Sequence, residues 1–249
     1  AHLNLGPAIV VLVLKELKVK ESLDELRNKW KIEQSVYDLH IGNRDDVTDS
    51  QITVNGVIFH IPYLAKDATF VLWKCLWPDC HNCCEKQGRL PLTKDDISLI
   101  SNKLGYVSES EFIKKETTIS SWNETSTMNN VITTISMISL KRKENETENQ
   151  DGQPLSCRFL NECGSCVIHP DKPGVCWLYP FSSWMESKNG KPVVHASYQL
   201  TGDCPGFYTH QTSEPMMEIL QEYSNRIFEY NMSVLRTMRE KYGFINIIQ

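Results

Sequence analysis

Nine cysteines, most of them clustered, constrain this chain more than any other feature of its sequence. The first cluster spans ten residues and holds Cys75, Cys80, Cys83 and Cys84. The second spans twenty residues and holds Cys157, Cys163, Cys166 and Cys176, and Cys204 follows in a Cys-Pro-Gly segment. Thiolates bind zinc and iron strongly, and a Cys-x2-Cys spacing lets one tight turn aim two sulfurs at one metal. The pattern therefore predicts a metal-binding protein.

The spacing within the first cluster leaves the number of metal sites open. Cys80 and Cys83 have the Cys-x2-Cys spacing, whereas Cys83 and Cys84 are adjacent. Side chains of adjacent residues in an extended segment leave opposite faces of the backbone, so this pair could share one tetrahedral site only across a sharp bend. The adjacent pair therefore implies a second metal, a larger cluster, or a role other than metal binding for one of the two thiols.

Disulfide bonds and isolated buried thiols account for the cysteines less well than a metal does. A disulfide framework is disfavoured because nine is an odd number, because vicinal cysteines pair poorly with each other, and because such scaffolds are usually much shorter. Isolated buried cysteines that act as small hydrophobic residues account for one or two of the nine, but not for the clustering.

Length and charge limit the partners and the location. A chain of 249 residues can bury a sizeable core without a metal. Its net charge of -5 and its lack of a long Lys/Arg run argue against nucleic acid as a partner. The apolar run Pro7–Leu14 is too short to span a membrane and has no basic residue before it. We therefore expect no membrane span and a cytoplasmic protein with reduced thiols.

Local patterns predict strands and helices on both sides of the first cluster. Asn55-Gly56 is a strong hairpin signal between apolar runs, and a strand over 69–74 would deliver Cys75. Thr93 is a predicted N-cap, with Gly105 at the end of its helix, and Ser108 starts a second helix. The segment 131–140 is rich in β-branched residues and predicts a strand, whereas the polar segments 117–130 and 141–154 predict exposed loops.

Two further amphipathic patterns predict helices near the ends of the chain. One covers residues 15–34. The other runs from Glu214 to about Tyr242 with Pro215 in its first turn, and it predicts a long helix that packs on the core or docks on a protein partner. The sequence thus predicts an α+β fold of one metal-stapled domain. We divide it into an extension at 1–66 with a helix and a hairpin, a cysteine-cluster domain at 67–212, and a C-terminal amphipathic helix at 213–249.

Five motifs in order resemble a known family. They are the segment Cys75–Cys84, LTKDDISLISNKLGY, SCRFL, GSCVIHPDKPGVCWLYPF and DCPG. Together they resemble the YkgJ-type cysteine-cluster family, a zinc- or iron-chelating domain distantly similar to flagellin lysine N-methylases. The resemblance implies eight ligands: Cys75, Cys80, Cys83, Cys84, Cys157, Cys166, Cys176 and Cys204. Cys163 is then the extra cysteine, although spacing alone pairs it with Cys166. Two departures are the four residues between Cys75 and Cys80, where the family more often has two, and His169, where a tyrosine is common.

Eight thiolates suit two zinc sites, one iron–sulfur cluster with a structural site, or two clusters. Of the two Cys-x2-Cys pairs, Cys80 with Cys83 and Cys163 with Cys166, the resemblance supports only the first, whereas zinc ribbons usually have two per site. Cys204-Pro205 is similar to the end of ferredoxin ligand runs. We therefore favour an iron–sulfur cluster, with zinc as the alternative. Residues that could lie beside the ligands are His81, Arg158, Tyr179 and Asp203.

The reaction stays open at this point. The resemblance allows an iron–sulfur oxidoreductase or a protein lysine methyltransferase, but no Gly-rich fingerprint supports a conventional methyl-donor site. The alternative is a zinc-stapled, non-catalytic module that binds a protein through its terminal helix.

Overall fold

The computed structural model describes residues 21–86, 90–125, 132–143, 156–189, 191–200, 203–239 and 243–247. Its helices are α1 (residues 21–28), α2 (Gln34–His40), α3 (Asn82–Lys86), α4 (Lys94–Lys103), α5 (Glu109–Glu116), α6 (Gly174–Leu178) and α7 (Met217–Arg239). Its strands are β1 (Val47–Val54), β2 (Val57–Leu64), β3 (Thr69–Trp73), β4 (Thr117–Thr125), β5 (Ile132–Leu140), β6 (Phe181–Lys188), β7 (Lys191–Tyr198), β8 (Phe207–His210) and β9 (Gly243–Ile247). The predicted α+β class is confirmed.

The larger sheet has β2 at its centre. Strand β1 pairs antiparallel with the whole of β2 through a turn at Asn55 and Gly56, whose φ angles are 48° and 82°. These positive values are what a two-residue hairpin requires, so the predicted hairpin is confirmed. The other edge of β2 pairs with the parallel β7 at its start and with the antiparallel β3 at its end. Strand β6 extends the sheet beyond β7, and β8 extends it beyond β3.

The first hydrophobic core lies between this sheet and α7. Alternate side chains of β2 are buried, among them Phe59 and Ile61, as expected for a strand with one covered face. Leu220 and Ile227 of α7 are also fully buried in this core. The predicted C-terminal helix is confirmed over Met217–Arg239, and this face of it packs on the protein's own core. Residues 243–247 of the segment 213–249 instead form strand β9.

The second core lies beside a three-stranded antiparallel sheet in the order β4-β5-β9. Its fully buried side chains include Ile97 and Ile100 of α4 and Phe112 of α5. Helix α4 begins with a capping box, in which Thr93 and Asp96 each bind the backbone of the other. The carboxylate of Asp96 also accepts the N–H of Gly174 at 2.8 Å, so the start of α4 is tied to the start of α6.

Two local predictions are wrong. Residues 117–125 form strand β4, in register with β5, where a polar loop was expected. A polar segment can form this strand because hydroxyl side chains of β4 hydrogen-bond to those of β5. The Oγ atoms of Ser121 and Ser136, for example, are 2.6 Å apart. The expected single helix over 15–34 is instead interrupted after α1, where Lys31 has a φ of 55°. Residues 15–20, the apolar run Pro7–Leu14 and most of 141–154 lie outside the described residues.

None of the helices in the described part of the chain combines the length and the apolar character that crossing a bilayer demands. The division at residues 66 and 212 stays a prediction, as does the protein partner of the C-terminal helix.

Candidate metal centre

The pairing of β3 with β8 brings two distant cysteines to one place. Trp73, at the end of β3, lies opposite Phe207, at the start of β8. Cys75 therefore follows one strand at the same end at which Cys204 precedes the other. The indole N–H of Trp73 donates a hydrogen bond to the Sγ atom of Cys204 at 3.2 Å.

Cys80 lies beside these two cysteines. The chain turns back after β3, where the N–H of Cys80 donates to the carbonyl oxygen of Leu76 at 3.1 Å. The thiol of Cys80 interacts electrostatically with that of Cys75, and the thiol of Cys204 interacts with both. Burial raises the pKa of Cys80 and raises the pKa of Cys204 to about 11. Cys75, Cys80 and Cys204 form what we call the first thiol group.

Four other cysteines surround a second point in the molecule. The N–H of Cys157 donates to the carbonyl oxygen of Cys84 at 2.7 Å, and Leu160 pairs with Cys166 in an isolated β-bridge. Cys176 lies on the short helix α6. The thiols of Cys166 and Cys176 each interact with those of Cys84 and Cys157. The second thiol group is therefore Cys84, Cys157, Cys166 and Cys176, and all four pack in or against the second core.

The second thiol group is held in the thiol form in the absence of a metal. Burial is the main cause that raises the pKa of Cys157, Cys166 and Cys176. A hydrogen bond with Cys83 is the first cause of the raised pKa of Cys84, followed by burial. A metal must therefore displace protons from this group, so its binding will weaken as the pH falls.

At four sulfurs, a backbone N–H group counteracts the rise in thiol pKa that burial causes. In each case the backbone N–H two residues after the cysteine lies near its sulfur and lowers the thiol pKa, which stabilises the thiolate. These pairs are Asn82 to Cys80, Phe159 to Cys157, Ile168 to Cys166 and Gly206 to Cys204. Hydrogen bonds to ligand sulfurs also tune metal centres and clusters. Both thiol groups thus contain sulfurs whose thiolate form is partly stabilised by a backbone N–H, against the larger effect of burial.

The adjacent Cys83 and Cys84 lie on helix α3, between the two groups. Their sulfurs are 4.0 Å apart. Successive side chains on an α-helix leave its axis roughly 100° apart, yet these two sulfurs approach closely enough for a hydrogen bond between the thiols. Cys84 faces the second thiol group, whereas Cys83 and Cys75 both interact with the hydroxyl group of Tyr223.

All nine cysteines are free thiols, so the donor set is chemically suited to zinc or iron. Within the described residues, no three side chains of Cys, His, Asp or Glu converge closely enough to hold one metal ion. A metal would therefore have to draw the sulfurs of a group inward.

Two cations lie near the second thiol group. Arg142 interacts with the thiols of Cys84, Cys157 and Cys176, and burial lowers its pKa. Lys172 interacts with Cys84, Cys166 and Cys176. Four thiolates around a doubly charged zinc ion or iron–sulfur core carry two net negative charges, which these two cations would balance. The sequence analysis missed Arg142 because it lies at the start of a polar segment far from any cysteine in sequence.

Cys163 differs from the other cysteines of its cluster. It is exposed, whereas Cys166, three residues later, packs against the second core. Gly164 separates them with a φ of 78°, and a Cβ atom built there would lie 2.3 Å from the Nε2 atom of His81. The predicted neighbour His81 thus packs over the turn that carries Cys163.

The three other predicted neighbours have different surroundings. Arg158 forms an ion pair with Glu116, with 2.6 Å between Nε and Oε2. The backbone of Asp203 accepts a hydrogen bond from the Asn82 side chain at 2.7 Å, and this bond ties α3 to the segment before Cys204. Tyr179 packs against the first core. The ligand set and the roles of these neighbours stay predictions.

Comparison with known proteins agrees with the resemblance seen in the sequence. The model of the CxxCxxCC family, described as "Putative zinc- or iron-chelating domain", matches residues 74–205. This span holds all nine cysteines and just over half of the chain. Comparisons with curated proteins and with solved structures gave no match. The chain therefore belongs to the CxxCxxCC family of zinc- or iron-chelating domains.

Proposed function

We propose that this protein is a cysteine-ligated metalloprotein of the cytoplasm that binds iron as an iron–sulfur cluster. One observation carries the proposal. Free thiols from distant parts of the chain gather in two groups, and in each group backbone N–H groups two residues further on lower the pKa of two of the thiols. Free thiols of this kind persist in a reducing compartment, which supports the cytoplasmic assignment.

The apolar surroundings of the second thiol group favour a cluster over zinc. Phe159, Leu160 and Ile168 are buried beside these cysteines. A shell of this type excludes water, and together with N–H donors to sulfur it sets the reduction potential of a cluster. Zinc has no redox chemistry, so a zinc site would use such a shell for stability alone.

The first thiol group supports a redox role because it reaches the surface. Cys75 is exposed and Cys80 is partly exposed. Electron exchange with another molecule requires one centre near solvent. When bound, the cluster would supply one-electron chemistry. The chain's own residues would hold the sulfurs, limit water and balance charge through Arg142 and Lys172.

The test is a count of metal in full-length protein purified without oxygen. Iron, acid-labile sulfide and zinc per chain are measured, together with the visible absorption spectrum before and after reduction. Iron with sulfide and a band that bleaches on reduction supports the proposal. Zinc without iron contradicts the cluster and favours the zinc-stapled interaction module.

Two alanine variants test whether the cysteines hold the metal. Cys166→Ala removes a sulfur of the second thiol group and should lower the metal content. Cys163→Ala is the matched control from the same turn, and it should leave the metal content unchanged. A loss of metal in Cys163→Ala would show that the spacing of Cys163 and Cys166 describes the ligands better.

A further inference from the structure

We infer that the eight ligands form two separate four-sulfur sites, and that the adjacent Cys83 and Cys84 serve different sites. The first site is the first thiol group together with Cys83: Cys75, Cys80, Cys83 and Cys204. The second site is the second thiol group: Cys84, Cys157, Cys166 and Cys176. This assignment rests on the proposed metal-binding function and says how the sulfurs are divided.

The buried cysteine of the first group and the four cysteines of the second group belong to different hydrophobic cores. Cys204 is buried in the first core, next to Trp73 of the larger sheet. Cys157 is buried in the second core, and Cys84, Cys166 and Cys176 pack against that core. A single site that drew on all eight sulfurs would have to bring residues of both cores to one point.

Different backbone contacts position the two groups. The antiparallel pairing of β3 and β8 sets the distance between Cys75 and Cys204. The second group depends instead on the hydrogen bond from Cys157 to Cys84 and on the bridge between Leu160 and Cys166. Neither set of contacts includes a cysteine of the other group.

Helix α3 carries both Cys83 and Cys84. The two sulfurs are 4.0 Å apart, and because adjacent helical side chains leave the helix roughly 100° apart, a change of staggered rotamer in one of them would turn the sulfurs to opposite sides. Cys84 is already among the second thiol group. Tyr223 lies near both Cys75 and Cys83, which places Cys83 on the side of the first group.

The experiment measures metal per chain in full-length variants that are produced and purified identically. Cys83→Ala and Cys204→Ala should each lose half of the wild-type metal, and so should Cys84→Ala and Cys176→Ala. The double variant of one site, Cys83→Ala with Cys204→Ala, should lose no more than either single variant. The double variant across sites, Cys176→Ala with Cys204→Ala, should lose all metal.

Two results would overturn the division. If one substitution removes all metal, the eight sulfurs form one coupled site. If Cys83→Ala behaves like a second-site variant, with further loss when Cys204→Ala is added, the vicinal pair is assigned wrongly. These outcomes leave the proposed metal-binding function standing. That function fails if the wild-type protein holds no metal, or if no cysteine substitution changes its metal content.

Variants of a metal staple can fail to fold, so a second measurement uses the wild-type chain. Metal is removed gradually with a chelator, free thiols are alkylated, and the modified cysteines are located by mass spectrometry. Chains that keep half of their metal should have all four thiols of one site protected and all four of the other modified. Protection that mixes cysteines of both sites within one chain contradicts the division. Cys163 should be modified throughout.

Discussion

Acid should destabilise this protein through one buried histidine, His40. Its ring lies edge-on to Phe207, with 5.7 Å between ring centroids, and both ring nitrogens are buried. Burial disfavours the charged imidazolium and lowers the pKa of His40 from 6.5 to about 4. The unfolded chain therefore binds a proton at a higher pH than the folded chain does.

The size of the effect follows from linkage between proton binding and folding. The stability contributed by neutral His40 is complete above pH 6.5, and it is lost progressively as the pH falls from there to 4. At pH 5 the unfolded histidine binds protons roughly 30-fold more favourably than the folded one, which lowers the free energy of unfolding by about 2 kcal/mol. The loss levels off at about 3 kcal/mol once both states are protonated.

The assay is urea unfolding of the wild-type protein and of His40→Leu at pH 8 and at pH 5. Acid also weakens metal ligation, but that effect is common to both proteins and cancels in their difference. His40→Leu should lose about 2 kcal/mol less than the wild type between the two pH values. His210→Leu is the control, because it removes an exposed histidine whose ring lies beside Thr212. An equal acid loss in wild type and His40→Leu would refute the argument.

Two further substitutions test how the backbone supports the site. Gly206→Ala should reduce both metal content and stability, the latter by more than about 2 kcal/mol, because its Cβ would lie 2.1 Å from a backbone carbonyl oxygen. Gly105→Ala is its control: it has open space and only an unfavourable φ of 72°, so it should cost about 1 kcal/mol and leave the metal unchanged. Thr93→Ala should cost about 1–2 kcal/mol, more than Ser108→Ala, because Thr93 is a buried N-cap with both halves of a capping box. Urea unfolding and metal analysis check all four variants, and equal effects of the two glycine substitutions would contradict the steric argument.

Local chemistry made much of the fold predictable from the sequence. The hairpin at Asn55-Gly56 and the caps at Thr93 and Ser108 depend on a few neighbouring residues, so their patterns are legible without the structure. A similar Asn-Gly signal at 189–190 was overlooked, and strands β6 and β7 flank it. Strand β4 was missed for a different reason: its polar side chains are paired across the strand, and pairing cannot be read from composition.

The division of the thiols could not be predicted in the same way. Sequence proximity places Cys80 with Cys83 and Cys84, whereas in the fold the thiol of Cys80 also interacts electrostatically with that of Cys204, more than a hundred residues away. That interaction depends on the pairing of β3 with β8, two strands that are far apart in sequence and meet only in the folded protein. The positive charge near the second thiol group also comes from a residue that is distant in sequence. The guanidinium group of Arg142 donates to the carbonyl oxygen of Cys84 at 3.5 Å and interacts with the Cys84 thiol.

The short helix α3 shows why metal binding and the association of the two cores should be coupled. A five-residue helix is far below the length at which helices are stable in isolation, so its contacts must hold it. On one side Asn82 binds the backbone before Cys204, and on the other the carbonyl of Cys84 binds Cys157. An ion pair between Lys86 and Glu25 adds helix α1 to this set. If the two sites divide at Cys83 and Cys84, each metal anchors α3 to a different core. Because ligand binding then contributes directly to folding free energy, the strength with which the cores are held together would depend on the occupancy of both sites.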